Sequence, residues 1–201
     1  MTGLRERKKR ATRTAIHEAA MDLFADQGFA GTTIDEIAER ADVSRATVFS
    51  YFPTKEDIVF GDAPAAIDSL ASALRDRPSG TDVISCVRAW LGELTGWIEP
   101  GLVLQVRLQR EMPAVAARRL RLNRDLEDII AEALAAELRY DNPLAAPLVA
   151  SSLLTALRMI EETAAEQIEH EDRPLSETEV TAMLDDAVAF AETGISALRG
   201  R

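Results

Sequence analysis

The stretch that decides the fold of this chain is residues 33–52, TIDEIAERADVSRATVFSYF. It opens with Thr33 and Glu36 at the spacing of a capping box, in which each side chain accepts a hydrogen bond from the other residue's backbone N–H. This box predicts a helix that continues to about Ala41. A second set of helix signals follows after a short break, so the stretch predicts two helices joined by a tight turn.

The turn is assigned to Asp42-Val43-Ser44. Such a turn needs a residue that tolerates positive φ, usually glycine, and Asp42 is an acceptable substitute. Ser44 has the residue type of an N-cap for the second helix, Arg45–Phe52. The residues expected to fix the angle between the helices are Ile37, Ala38, Ala41, Val43 and Val48. The pattern is typical of a helix-turn-helix, and the alternative is an ordinary helical hairpin with a solvated outer face.

The second helix is short enough to enter the major groove of DNA and would present Arg45, Thr47 and Ser50 outward. An arginine can donate two hydrogen bonds to guanine, and a threonine methyl suits the methyl group of thymine. Ser50 could bond to a base or to a phosphate. These residue types therefore favour sequence recognition in double-stranded DNA.

Helical periodicity continues along the chain and predicts about nine helices with no strands. The first runs from about residue 8 to Gln27, and Gly28 suits the left-handed position after its end. His17 lies off its apolar face and is expected in solvent. The fourth should run from Thr54 to about Leu74. Later helices are expected at about 82–98, up to 111, at 113–140, at 143–169, and from a capping box at 176–179 onward.

The net charge of −11 does not suit a DNA-binding protein until it is resolved along the chain. Residues 1–13 carry six cations and one acid, whereas residues 61–201 carry a net charge of −10. Acidic surfaces repel phosphates, so any contact with nucleic acid must involve the N-terminal part. We therefore expect a DNA-binding domain with a basic tail at 1–54 and a second helical domain at 55–201.

Several functional classes have no support in the sequence. Cys86 is the only cysteine, and with His17 and His170 it cannot build a cysteine and histidine metal site. Cys86 is expected to be a small buried hydrophobe. No nucleophile elbow, phosphate loop or other catalytic motif is present, so we expect neither an enzyme nor a cofactor. No run approaches membrane-spanning length, and no signal peptide is recognised, so a cytoplasmic protein without membrane contact is expected.

A longer segment, FADQGFAGTTIDEIAERADVSRATVFSYFPTKE at residues 24–56, resembles the N-terminal domain of TetR-family regulators. The likeness covers roughly residues 8–60 and combines an LFxxxGF run, TTIDEIA, VSRATVF and YFPTKE in fixed order. The resemblance implies an all-α fold. It consists of an N-terminal three-helix helix-turn-helix domain and a C-terminal helical domain that binds an effector and dimerises.

The resemblance also implies roles for individual residues. Those expected at the DNA are Thr33, Ser44, Arg45, Ala46, Thr47, Ser50, Tyr51 and Lys55. Thr33, Tyr51 and Lys55 would contact phosphates, and the outward positions of the second helix would face base edges. The family often has tyrosine where this chain has Phe49, which we therefore interpret as a packing residue.

In the C-terminal region, apolar residues at helical spacing could line a cavity for a small, largely apolar molecule. They are Trp90, Leu94, Trp97, Leu104, Leu108 and Met112. The alternative is that they form ordinary core. Arginines between 107 and 124 could receive an anionic ligand such as an acyl-CoA, or they could form a solvated face. They are Arg107, Arg110, Arg118, Arg119, Arg121 and Arg124.

The last two long helices carry stripes that could form a four-helix interface in a homodimer, although they could also only pack the monomer. The stripe residues are Leu153, Leu154, Leu157, Ala164, Met183, Ala187, Ala191 and Ile195. A dimer would place two recognition helices on half-sites about 34–36 Å apart. The sequence thus predicts a repressor that a small apolar ligand releases from a palindromic operator. The alternative is a ligand-independent regulator whose C-terminal domain binds a protein partner.

Overall fold

A computed structural model describes residues 2–94, 101–138, 142–171 and 173–199, and in these ranges all regular structure is α-helical. The helices are α1 (Thr2–Gln27), α2 (Ile34–Arg40), α3 (Arg45–Tyr51), α4 (Lys55–Val59), α5 (Ala63–Arg75), α6 (Val83–Leu94), α7 (Leu102–Glu111), α8 (Pro113–Leu138), α9 (Ala145–Glu171) and α10 (Glu177–Arg199). The prediction of an all-α chain is confirmed, with ten helices in the described ranges. No helix there is long and apolar enough to cross a membrane.

The tenth helix arises because the predicted helix from Thr54 to Leu74 is two helices. Gly61 has a φ of +45°, a left-handed conformation that ends α4. A Cβ at this position would lie 3.2 Å from atoms of the His17 ring. Both the backbone conformation and the close approach of this ring therefore favour glycine, and the single-helix prediction was wrong.

Helix α1 begins at Thr2, earlier than predicted, so the basic segment is helical instead of an irregular tail. Its arginines, lysines and alanines favour helix, which accounts for the extension. At the other end Gly28 has a φ of +80°, and its N–H donates to Phe24 O over 3.1 Å. The left-handed residue expected after this helix is confirmed.

The chain forms two compact units, the first of which comprises Met1–Ala65 and Arg107–Leu120. The boundary expected between residues 54 and 55 thus falls inside unit 1. Within it α1 contacts α2 and α4, and α2 contacts α3. The residues of these helices and their ends that are fully inaccessible to solvent are Ile16, Ala20, Ile37, Val48, Phe52 and Ile58.

Unit 2 comprises Ala66–Val106 and Arg121–Arg201. Its α10 packs against α9 and α6 around one apolar core. Four residues of the expected dimer stripes, Leu153, Ala164, Ala191 and Ile195, are buried inside the chain. They pack the protomer and are not available to a second copy, so that part of the interface prediction was wrong.

Candidate nucleic-acid interface

The N-terminus of α2 is closed by the predicted capping box. Thr33 Oγ1 accepts from Glu36 N at 3.2 Å, and Glu36 Oε2 accepts from Thr33 N at 2.7 Å. The Thr33 N–H and hydroxyl hold the pKa of the Glu36 carboxyl below its usual value. Thr33 is exposed and Glu36 is half-buried, so the box fixes the helix end without removing Thr33 from the surface.

The turn after α2 has the geometry of a Schellman motif. Asp42 has a φ of +51°, its N–H donates to Glu39 O at 3.1 Å, and Val43 N donates to Ala38 O at 2.9 Å. The predicted turn and its left-handed residue are confirmed. Of the small core expected here, Ile37, Ala38 and Val48 are buried, whereas Ala41 and Val43 are partly exposed.

Helix α3 buries one side and exposes the other. Ser44 caps it by accepting from Thr47 N at 3.0 Å, and the Ser44 and Thr47 hydroxyl oxygens lie 2.8 Å apart. Val48 is buried, while Ala46 and Ser50 are exposed and Thr47 is half-buried. The Ser50 hydroxyl donates to Thr47 O at 2.7 Å. The exposed side therefore carries the residues predicted to face base edges.

Arg45 lies at the start of this exposed side. Its Nη1 is 2.7 Å from Asp35 Oδ2, and its Cζ lies 5.5 Å from the centroid of the Phe49 ring. Phe49 is 41% exposed, so its interpretation as a packing residue was wrong. Its place on the outer face of α3, one turn after Arg45, puts the ring beside the guanidinium instead of in the core.

Arg13 of α1 braces the helix-turn-helix, and sequence reasoning missed it. Its Nη1 donates to Tyr51 O at 2.8 Å, its Nη2 donates to Gly61 O at 2.7 Å, and its Nε is 2.8 Å from Asp62 Oδ1. The guanidinium also lies 4.2 Å from the centroid of the Phe52 ring. One cation of the basic segment thus serves the fold and is not displayed to DNA.

His17 is also a structural residue, contrary to the expectation that it faces solvent. It is half-buried, and its Nδ1 lies 2.7 Å from Ile58 O, a hydrogen bond in which the ring N–H donates to the carbonyl. The apolar pattern of α1 could not show this contact because the partner is a backbone carbonyl of α4.

Lys55 at the start of α4 is used inside unit 1. Its Nζ donates to Phe29 O at 2.6 Å and to Thr32 O at 2.9 Å, and it lies 4.3 Å from the centroid of the Phe29 ring. Burial lowers the pKa of this ammonium. Two of its three donors hold the loop before α2, which leaves one for the predicted phosphate contact. Tyr51, the other predicted phosphate ligand of this region, is half-buried.

Asp57 joins α4 to the first turns of α8. Its Oδ2 accepts from Thr54 N at 2.9 Å in a second capping box, and its Oδ1 forms an ion pair with Arg118 Nε. Burial acts to raise the pKa of Asp57, but the bonds from Thr54 and Arg118 outweigh it and hold the pKa below its usual value. Arg118 is therefore committed within unit 1 and does not belong to a free arginine surface.

The predicted effector-lining residues are only partly described. Trp90 is 6% exposed and donates from Nε1 to Ala66 O at 3.1 Å as part of the core of unit 2. Leu108 is buried, and Leu104 and Met112 are half-buried. The Leu94 side chain and Trp97 lie outside the described residues.

The described ranges contain no group of three or more His, Cys, Asp or Glu side chains that could hold a metal ion. Cys86 is half-buried against the core of unit 2, and burial raises the pKa of its thiol. A raised pKa keeps the thiol protonated at neutral pH and unreactive.

Two capped helices joined by a Schellman turn, with a short second helix exposed along one side, define a helix-turn-helix domain of the DNA-binding class. Residues 16–60 match the profile of the family described as bacterial regulatory proteins, tetR family. The HTH-type transcriptional regulator TcmR of Streptomyces glaucescens is 33% identical over 143 residues, 67% of this chain and 63% of TcmR. The chain belongs to the TetR family of transcriptional regulators.

Two further similar proteins match this chain over different lengths. The HTH-type transcriptional regulator RutR of Escherichia coli K12 is 47% identical over 55 residues, 27% of this chain and 26% of RutR. The TetR-family repressor FadR of Thermus thermophilus, solved with lauroyl-CoA, has a TM-score of 0.54 at 24% identity, covering 90% of this chain and 94% of FadR. The chain spans less than two thirds of TcmR and about a quarter of RutR. The family profile covers the N-terminal helices, while the likeness to FadR concerns the fold alone.

Proposed function

We propose that this chain is a sequence-specific DNA-binding repressor that acts as a homodimer on a palindromic operator. The observation that carries the proposal is the exposed side of α3, where Arg45, Ala46 and Ser50 reach solvent while Val48 anchors the helix from behind. A helix anchored in this way can enter the major groove without rearrangement. Thr33, Ser44, Tyr51 and Lys55 would position it through phosphate contacts.

The charge distribution supports an N-terminal interface. Arg7, Lys8, Lys9 and Arg10 are exposed on the first turns of α1, whereas the excess acid of the chain lies in residues 61–201. Cations near the recognition helix add salt-dependent affinity for phosphates without contributing sequence preference. Affinity for random DNA should therefore fall steeply with salt.

Exposed surfaces of α9 and α10 support dimerisation through these helices. Phe190 is 70% exposed and Met159 is 56% exposed. Around them lie small exposed residues at helical spacing, which allow close helix packing. On α10 they are Ala182, Ala189, Thr193 and Ala197, and on α9 they are Thr155 and Thr163. A second copy of this chain, related by a two-fold axis, would cover both faces.

The proposed effector is a small, largely apolar molecule, and FadR of the same fold binds lauroyl-CoA. The predicted lining residues that belong to unit 2, Trp90, Leu94, Trp97 and Leu104, are the candidate set for this ligand. An effector that prefers the non-binding state by about 1–3 kcal/mol would weaken operator binding about 5- to 150-fold. Apolar acyl chains, with and without an anionic head group, are therefore the first compounds to test.

Selection from random double-stranded DNA tests the proposal, followed by titration of the enriched site with and without lauroyl-CoA or lauric acid. We expect an inverted repeat whose half-sites are about one helical turn apart. Enrichment of no sequence would refute the DNA-binding function. An enriched site whose affinity no acyl compound changes would refute the proposed effector class alone.

A further inference from the structure

The guanidinium of Arg45 is held from two sides by groups with no assigned role. Asp35, in the first turn of α2, contacts Nη1 at 2.7 Å. Phe49, one turn further along α3, places its ring 5.5 Å from Cζ. A carboxylate from one helix and a ring from the other thus restrain the residue that begins α3.

Stability does not account for this arrangement. The side chains of Arg45 and Asp35 are 59% and 67% exposed, and exposed ion pairs contribute little to the free energy of unfolding. Phe49 is 41% exposed, so it adds little to the core. A carboxylate beside a proposed phosphate-binding surface also weakens DNA binding by charge repulsion. The contact therefore bears on the orientation of Arg45 and not on stability.

Resting on the proposed function, we infer that Asp35 and Phe49 are positioning residues that orient Arg45 for the reading of a guanine. The contact with Asp35 occupies Nη1 and leaves donors on Nη2 and Nε. Two parallel donors on one edge of the guanidinium match the O6 and N7 acceptors of guanine. The Phe49 face limits rotation of the same plane through a cation–π contact.

If Asp35 orients Arg45, the loss of Asp35 should change base discrimination, which the loss of a repelling charge alone would not do. A free arginine side chain can turn to a phosphate, which every sequence offers, whereas a restrained one loses less conformational entropy when it binds the base. Asp35 should therefore lower affinity for random DNA and raise discrimination at one base pair. Loss of Asp35 should reverse both effects.

The experiment measures the ratio of Kd values for the selected operator with adenine and with guanine at the position whose preference falls most in Arg45→Ala. For the unaltered protein we expect a ratio of about 5 to 150. Asp35→Ala should lower it at least about fivefold, or to near unity where it starts small, and should leave affinity for random DNA equal or tighter. Asp35→Asn, which keeps an oxygen acceptor, should give an intermediate ratio and serves if the alanine variant fails to fold.

Matched variants separate positioning from charge and packing. Glu39→Ala removes the same charge from an exposed position of the same helix and should leave the ratio unchanged. Phe49→Tyr keeps the ring and should keep the ratio, whereas Phe49→Leu should lower it. In Asp35→Ala combined with Arg45→Ala, the ratio should equal that of Arg45→Ala alone, because Asp35 acts through Arg45.

The inference is overturned if Asp35→Ala tightens operator and random DNA equally with an unchanged ratio, since Asp35 would then only repel phosphates. It is also overturned if the double variant discriminates less than Arg45→Ala alone. Both outcomes leave the proposed function intact. Failure of the unaltered protein to select any sequence would remove the proposed function itself.

Discussion

The helix-turn-helix segment, residues 33–52, and unit 2 are held together by contacts of different range. In the segment, the Thr33–Glu36 box and the Ser44 cap join residues three apart in sequence. In unit 2, the Val83 N–H donates to Glu137, 54 residues away, and Arg88 pairs with Asp185, 97 residues away. Local contacts can be inferred from sequence spacing, whereas distant ones depend on how the helices pack.

This difference accounts for what the sequence could predict. The Thr33–Glu36 capping box, the Ser44 cap, the Asp42 turn and the outward side of α3 follow from residue type and spacing. These features depend on hydrogen bonds between residues that lie within about one helical turn of each other. They can therefore be predicted without knowing how the helices pack.

The largest effect on stability should come from loss of an ion pair in unit 1 that joins residues far apart in sequence and is partly buried. Asp57→Ala removes the carboxylate half of the Thr54–Asp57 capping box and leaves Arg118 without its ion-pair partner. The side chains of Asp57 and Arg118 are only 11% and 18% exposed. We expect a loss of about 2–3 kcal/mol in the free energy of unfolding, measured by urea denaturation. The control is Asp185→Ala in unit 2, whose ion pair with Arg88 is exposed and should contribute less than about 1 kcal/mol. Equal losses would contradict the role given to burial.

The proposed dimer face of unit 2 provides the next effect. Phe190→Glu places a charge on the most exposed large apolar side chain of α10 and should weaken dimerisation at least about tenfold, or about 1.4 kcal/mol. Sedimentation equilibrium measures this constant. Leu120→Glu, at a position of α8 that is 62% exposed, should leave the dimerisation constant unchanged. A dimer unaffected by Phe190→Glu would place the interface elsewhere.

Two capping boxes allow the regions to be compared directly. Thr33→Ala in α2 and Ser176→Ala in α10 each remove an acceptor for a backbone N–H, and each should cost about 1 kcal/mol of stability. Only Thr33→Ala should also weaken DNA binding, because only that cap lies at the proposed interface. If Ser176→Ala also lost operator affinity, the loss in Thr33→Ala would reflect reduced stability and not a missing contact with DNA.

The smallest expected effect is a change in stability at acidic pH. In the box of α10, hydrogen bonds from Arg173 and then Ser176 lower the pKa of Glu179 from 4.5 to about 2. Because the folded pKa is depressed, this stabilisation is complete above pH 4.5 and is lost as the pH falls toward about 2. The stability difference between the unaltered protein and Glu179→Gln should therefore shrink across that range, as measured by chemical denaturation. A constant difference would contradict the assignment.

Three contacts that sequence reasoning did not predict share one physical feature. Arg13, His17 and Lys55 all use backbone carbonyls of other elements as acceptors. Every residue has such a carbonyl, so no residue pattern identifies which one will be near. Phe49 was misplaced for a related reason, since hydrophobic type suggests burial but does not show that an arginine will cover the ring. The buried stripe residues of α9 and α10 have the spacing that either a core or an interface requires.

The central claim is that α3 reads base edges in the major groove through Arg45. Methylation interference on the selected operator tests it most directly, because methylation of guanine N7 blocks the acceptor that a bidentate arginine uses. We predict one guanine in each half-site whose methylation prevents binding of the unaltered protein but has no further effect on Arg45→Ala, which itself binds about 1–3 kcal/mol more weakly. The claim would be contradicted if the same guanines interfered equally with both proteins.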